Sequence, residues 1–301
     1  MKWAFLPGCS LHSTAAQYRT SFLGVVRALG IEVEEVPDWN CCGATAAKHF
    51  NQQFTLVLAA RNLALAEKVA PVLAVPCNLC YNNLTLAAHA LQDEAKREQI
   101  NSHLLPLELR LRGEVAVYHP LKLFLQEVGV ERIRQAVVRP LAGLKVVAYY
   151  GCLLTRPKEA SIGDSNRWPA WLDMLAVTAG ATPLPFNAAT RCCGGTLALT
   201  HPEVALRAAG VILAEARVRG AEAILVTCPM CQLNLERAQI QEKGREKRLL
   251  PVLYFTQFLG LALGCDPITV GLKKNLIPLP KEWSSFGAHQ ARASSSKRAW
   301  C

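Results

Sequence analysis

The sequence predicts an α/β fold of two homologous domains from an internal duplication, each a small parallel sheet flanked by helices, with cysteine loops at the carboxyl ends of the strands. Three observations carry this expectation. First, a cysteine pattern occurs twice. In the first half 31 residues separate Cys9 from Cys41, 34 separate Cys42 from Cys77, and two separate Cys77 from Cys80. In the second half the same intervals are 39 (Cys152 to Cys192), 34 (Cys193 to Cys228) and two (Cys228 to Cys231). Second, short apolar runs alternate with helix-length stretches, the pattern of parallel sheets covered on both faces. Third, each cysteine motif follows directly on such a run, and open α/β sheets bind ligands beyond the carboxyl ends of their strands.

The elements follow in order. "KWAFL" (2–6), "EVEEV" (32–36), "VLAV" (72–75) and "VAVY" (115–118) read as buried strands of the first half. Their counterparts are "KVVAYY" (145–150), "TPLPF" (182–186), "AILVT" (223–227) and "PVLY" (251–254). Helix-length stretches between them include residues 14–30, 54–70 and 202–220. The flanks agree as well: "VPCNLCYNNL" matches "VTCPMCQLNL", and "VYHPLKLFLQEVG" (117–129) matches "LYFTQFLGLALG" (253–264). Eight extra residues in the first loop of the second half fall near "GDSNRW" (163–168). A period of roughly 140–150 residues is too long for a solenoid and marks a duplicated domain. The expected divisions are 1–138, 139–275 and a tail, 276–301, whose Ser/Ala/Arg composition from about 281 reads as disordered.

Composition narrows the function. Of the 301 residues 51% are hydrophobic and 19% charged, a globular balance. No apolar run approaches the roughly 18–20 residues of a membrane span, and the N-terminus turns polar too soon for a secretory signal. The expected location is therefore cytoplasmic, where thiols stay reduced, so twelve cysteines point to metal or redox chemistry rather than a disulfide framework. The net charge is +10, yet the basic residues are scattered, with mild concentrations only in "EKGREKR" (242–248) and the tail. That favours an acidic partner or anionic ligand and no nucleic acid.

Five cysteines per half exceed the four ligands of a closed zinc site or of a cubane cluster. They suggest a larger or less symmetric group, such as an opened four-iron cluster with a bridging thiolate; zinc in one site is the alternative. Gly43 and Gly194 allow a tight turn after each pair.

These motifs ("LPGCS", "DWNCCG", "VPCNLC", "YYGCLL", "RCCGG", "VTCPMCQLNL" and "PVLYFTQFLGLALG") resemble the cysteine-rich CCG domain, and residues 3–275 are similar to the B subunit of heterodisulfide reductase. The resemblance implies two noncubane [4Fe-4S] clusters facing each other across a crevice. Cys9, Cys41, Cys42, Cys77 and Cys80 would hold one, and Cys152, Cys192, Cys193, Cys228 and Cys231 the other. It also implies cleavage of a disulfide such as that of coenzyme M and coenzyme B in methanogenesis. Each cluster would supply one electron and take one sulfur. With no flavin or nicotinamide motif and no ferredoxin cysteine run, electrons are expected from a ferredoxin-like subunit of the same complex, itself fed by a flavin-containing subunit. Arg156, Lys158, Arg191 and Lys48 lie near the cysteines in sequence as candidate contacts for an anionic substrate, although a solvated surface charge is the ordinary role for each. His49 and His201 are candidate proton donors, with helix-start roles as the ordinary alternative; His12 and His119 are read the same way. Cys265 and Cys301 fall outside the repeat and receive no metal role. Two other readings stay open: an electron-relay or anchor subunit of a succinate dehydrogenase or lactate-oxidising complex, and a subunit of a sulfur-oxidising complex.

Overall fold

A computed structural model describes residues 2–163, 169–242, 248–280 and Trp283. The first half runs β1 (Lys2–Phe5), α1 (Gly8–His12), α2 (Ala16–Ala28), β2 (Glu32–Glu35), α3 (Ala46–Phe50), α4 (Gln52–Glu67), β3 (Val72–Ala74), α5 (Asn78–Ala90), α6 (Glu94–Leu104) and β4 (Ala116–Tyr118). Two helical pieces follow: α7 (Pro120–Lys122) runs into a wider π turn at Leu123–Gly129, and α8 (Val130–Ala136) starts after Gly129, whose φ of +87° separates the two. The second half repeats the plan with β5 (Lys145–Tyr149), α9 (Trp171–Thr178), β6 (Thr182–Pro183), α10 (Pro202–Val218), β7 (Ala223–Val226), α11 (Pro229–Gln241), β8 (Val252–Tyr254) and α12 (Phe255–Ala262).

Both sheets are four-stranded, wholly parallel and identically wired, β2-β1-β3-β4 and β6-β5-β7-β8. Strand order reverses between β1 and β3 and between β5 and β7, which opens a crevice at the carboxyl ends of these central strands. Their side chains are buried on both faces, as the apolar runs require: Val146, Val147, Ala223, Ile224 and Leu225 are fully enclosed. The outer strand β2 departs from the expected buried strand. Its side chains alternate between exposed and half-buried, because an edge strand covered on one face needs only one apolar side.

The halves pack by exchanging equivalent elements: α12 lies on α2, and α7 and α8 lie on α9. An interface built twice from one pair of surfaces is the internal counterpart of a two-fold dimer. At its centre Tyr18 stacks on Tyr254 with ring centroids 4.1 Å apart, and Ser21 Oγ meets Thr256 Oγ1 at 2.6 Å. Part of the expected tail is instead packed. Ile277 is buried, and the amides of Leu276 and Ile277 donate to Glu236 at 3.1 Å each. The remainder of the tail, with Cys301, lies outside the described residues, as do 164–168 of the expected insertion and 243–247 of the basic stretch.

Candidate functional site

In the first half Cys9 sits in α1 just beyond β1. Cys41 and Cys42 form the loop after β2, Cys77 caps α5, and Cys80 lies in its first turn. The second half places Cys152 after β5, Cys192 and Cys193 before a short turn at Gly195–Leu197, Cys228 at the cap of α11, and Cys231 in its first turn. Both C-x2-C pairs thus stand at helix N-termini, where backbone amides are free to point at an anion.

The ten thiols fall into two sets. In the first, the acidity of each thiol is set by its neighbours: Cys9 by Cys41, Cys41 by Cys42 and Cys9, Cys42 by Cys41 and Cys80, Cys77 by Cys80, and Cys80 by Cys42 and Cys77. In the second, Cys193 Sγ meets Cys231 Sγ at 3.5 Å, and the acidity of Cys152 is set by Cys192 and that of Cys231 by Cys193 and Cys228. Acidity divides along these pairs. Cys41 is held low by the Cys42 and Cys9 thiols and the Gly43 amide, and Cys77 by the Cys80 thiol and the amides of Cys80 and Leu79. Cys192 is held low by the Cys152 thiol, the Gly194 amide and the Arg156 charge; Cys193 by the Cys231 thiol and the Gly195 amide. Their neighbours Cys9, Cys42, Cys80, Cys152 and Cys231 are pushed up in turn. Crowded thiols cannot all ionise together, and only added positive charge would release the remaining protons.

The local sequence explains the shape. Gly43 and Gly194 adopt φ of +78° and +75°, which turns the following amides back onto sulfur: Gly194 N lies 3.3 Å from Cys192 Sγ, and Gly195 N 3.3 Å from Cys193 Sγ. In the first half the amides of Gly43 and Ala44 act to lower the pKa of Cys41 and of Cys42 in the same sense. A second glycine pair escapes a reading of the cysteines alone. Gly8 and Gly151 (φ +68° and +72°) precede the first cysteine of each half, and a Cβ there would stand 2.9 Å from Cys80 Sγ and 3.1 Å from Cys231 Sγ. Their signal is the shared "GC" of "FLPGCS" and "YYGCLL". Two asparagines escape it likewise. Three residues beyond each C-x2-C pair, Asn83 donates to the Cys42 carbonyl at 2.7 Å and Asn234 donates to the Cys193 carbonyl.

Among the described residues no three Cys, His, Asp or Glu side chains are grouped as a single-ion site. The five thiols of the second set instead line a cavity of about 110 Å³ together with Asn78, Leu79 and Met230. One water needs only roughly 10–15 Å³ by the same measure, so the space suits a group of several atoms. Exposure is graded: Cys9, Cys41 and Cys192 are exposed, Cys152 is half-buried, and the other six are buried. A group seated there would be closed off on the C-x2-C side and reachable on the other. A donor set of five thiols, two in each half with a lowered pKa, fits an iron–sulfur group.

Residues beside the two sets bond across the halves. His119 Nδ1 accepts from the Leu121 amide at 3.2 Å, so Nε2 carries the proton, which it directs to Pro76 O at 3.0 Å, and the ring packs against Phe255 of the other half. Pro76 and Thr227 are the residues just before Cys77 and Cys228. Thr227 O accepts from Tyr18 at 3.1 Å, and Asn78 reaches Thr227 Oγ1 at 3.0 Å and Tyr150 O at 3.1 Å. Asn82 donates to Leu153 O and Arg156 O, at 2.9 and 2.8 Å, fixing the loop that follows Cys152. Burial pushes His119 down to about 4, so this ring is a neutral brace between the halves, its ordinary structural role.

The other sequence candidates stand apart from the thiols. His49 and His201 are exposed, His201 Nδ1 lying 3.1 Å from Thr200 Oγ1. His12 pairs with Glu35 at 2.9 Å. Lys48 lines a separate cavity of about 500 Å³ between α4, α5 and α6. Lys158 and Arg191 are exposed, and the Arg191 carbonyl accepts from Tyr149 at 2.7 Å. Arg156 alone acts on a cysteine: it donates to Thr190 O and its charge favours the Cys192 thiolate. Cys265 is fully buried and belongs to neither thiol set.

Comparison with known proteins follows this geometry. Residues 3–85 and 146–236, more than half of the chain, match the family described as Cysteine-rich domain, CCG. The chain is 33% identical over 282 residues to an 8-methylmenaquinol:fumarate reductase membrane anchor subunit of Wolinella succinogenes, covering 93% of this chain and 98% of that one. It is 31% identical over 259 residues to the B subunit of the ferredoxin/F420H2-dependent CoB-CoM heterodisulfide reductase of Methanosarcina acetivorans, covering 84% and 86% of the two chains. The crystal structure of a hypothetical protein from Helicobacter pylori shares the fold with a TM-score of 0.72 at 14% identity, over 93% of this chain and about half, 52%, of that one.

Proposed function

We propose that this chain, which belongs to the cysteine-rich CCG domain family, is the catalytic subunit of a heterodisulfide reductase-like complex. In this reading it holds one noncubane [4Fe-4S] cluster on each set of five cysteines and cleaves a small acidic disulfide between them. The observation that carries the reading is the joining of the two equivalent cysteine-bearing halves, just beside Cys77 and Cys228, through a buried hub in which Tyr18 donates to the Thr227 carbonyl and Asn78 to Thr227 Oγ1 and Tyr150 O. When bound, the clusters would supply the two electrons that disulfide cleavage takes and iron for the two sulfurs released. The protein's own part is placement. Asn78 and Leu79 of the first half wall the cavity of the second set, so a disulfide reaching a group held there would meet side chains from both halves. The cavity wall is mostly apolar and limits water, while Arg156 beside Cys192 offers a cation for an acidic arm of the substrate. Electrons would come from a ferredoxin-like subunit fed in turn by a flavin-containing one, as the similarity to a heterodisulfide reductase B subunit supports.

The similarity to a fumarate reductase anchor subunit favours a second reading, in which the same thiol sets relay electrons without disulfide chemistry. Phe50 and Leu199, each shortly after a cysteine pair, are 91% and 93% exposed and offer apolar contact to a partner or a membrane surface. No helix among the described residues is long and apolar enough to cross a membrane. One experiment separates the readings. A panel of thiols is added under oxidising conditions to the reconstituted chain, followed by paramagnetic resonance, with each thiol also supplied enriched in a magnetic sulfur isotope. Disulfide chemistry gives a thiol-dependent signal that broadens with the isotope; isotope-insensitive spectra and no turnover of any disulfide support the relay.

A further inference from the structure

The two asparagines three residues beyond the C-x2-C pairs act on the same peptide unit in each half. Asn83 donates to Cys42 O at 2.7 Å. That carbonyl belongs to the peptide whose N–H is the Gly43 amide, and this amide helps to hold the Cys41 thiol low. Asn234 donates to Cys193 O, the carbonyl of the peptide whose Gly194 N–H lies 3.3 Å from Cys192 Sγ. In the second half side-chain amide, peptide and sulfur therefore form one chain of hydrogen bonds, and the first half makes the equivalent asparagine bond to the equivalent peptide. Donation to a carbonyl polarises its peptide and strengthens the bond its N–H makes. The glycines at positive φ leave this peptide otherwise free to rotate, so an anchor on its carbonyl is what aims the amide.

We infer that Asn83 and Asn234 are positioning residues that orient the peptide after each vicinal cysteine pair, so that its amide points at the first sulfur of the pair. Neither asparagine touches sulfur in this role; each acts through the peptide. The inference rests on the cluster reading only for its spectroscopic readout, because the hydrogen-bond chain is a property of the polypeptide.

The test uses the full chain after anaerobic reconstitution, with Asn83→Ala, Asn83→Asp and Asn234→Ala. Amide hydrogen exchange is followed by mass spectrometry in the segments spanning residues 41–44 and 192–195, and paramagnetic resonance spectra are recorded on the same samples. Losing one neutral hydrogen bond raises local opening about fivefold. Asn83→Ala is expected to speed exchange of 41–44 by that factor, leave 192–195 unchanged and alter the spectrum of one site only. Asn234→Ala should do the converse. Asn83→Asp keeps the shape but faces a carboxylate toward a carbonyl, so exchange should be at least as fast as in the alanine variant. Unchanged exchange in both alanine variants, equal acceleration of both segments by either, or wild-type protection in Asn83→Asp would each overturn the inference. If no iron is taken up, the cluster reading fails while the exchange comparison still decides the role of the asparagines.

Discussion

At the residue scale the site depends on what is absent from two glycines. At Gly8 an added Cβ would press on Cys80 Sγ at 2.9 Å while the residue is held at φ +68°. The left-handed conformation alone costs about 1–2 kcal/mol for an alanine, and the sulfur must also shift. Gly8→Ala is therefore expected to lower the melting temperature and empty the first thiol set, leaving the second occupied; metal content and calorimetry check both. His119 yields a pH dependence. Its folded pKa of about 4 lies below the roughly 6.5 of an unfolded histidine. Between those values the unfolded chain binds the extra proton, so the contribution is full above about pH 6.5 and is lost as pH falls to about 4. That amounts to roughly 3 kcal/mol. His119→Gln, which keeps a donor but does not titrate, should flatten the dependence of stability on pH across this window in denaturant titrations.

At the element scale α5 has a double role. It carries Cys77 and Cys80 of its own half, and through Asn82 it also fixes Leu153 and Arg156 of the other. Asn82→Ala, although in the first half, is expected to cost about 1–2 kcal/mol by leaving two carbonyls without a donor. It should loosen the Cys152 loop, seen as faster amide exchange over residues 152–156. Glu236 of α11 similarly ties down Leu276 and Ile277, and burial raises it to about 7. A carboxyl raised in the folded state stabilises below its unfolded value of about 4.5 and loses that contribution as pH rises through about 7. Glu236→Gln should remove this slope. The strands are legible in the sequence because short apolar runs lie between polar turns, and β1, β3, β5 and β7 fall within them. The packing of 276–280 is not legible, because its partner is a glutamate about 40 residues away whose role is purely tertiary. Nor is the exchange of α2 and α12: apolar helix faces show that something covers them, not what.

At the scale of the whole molecule the duplication explains both the site and its reading from sequence. All ten spaced cysteines fall into the two sets that the repeat separates. Gly8 with Gly151 and Asn83 with Asn234 are visible in the same repeat once positions other than cysteine are matched. What no repeat shows is the hub of Tyr18, Asn78, His119 and Thr227, because it arises only when the halves dock. The hub fixes the halves relative to each other but supplies no thiol to either set, so the sets should fill independently. Cys42→Ser is expected to empty the first alone and Cys193→Ser the second alone.

Iron and acid-labile sulfide, measured per chain after anaerobic reconstitution of the full protein and of these two serine variants, test the central claim most directly. Two four-iron clusters give about eight of each in the parent and about four of each in either variant. A parent holding two zinc ions and no iron, or a single serine substitution that empties both sets, would contradict it.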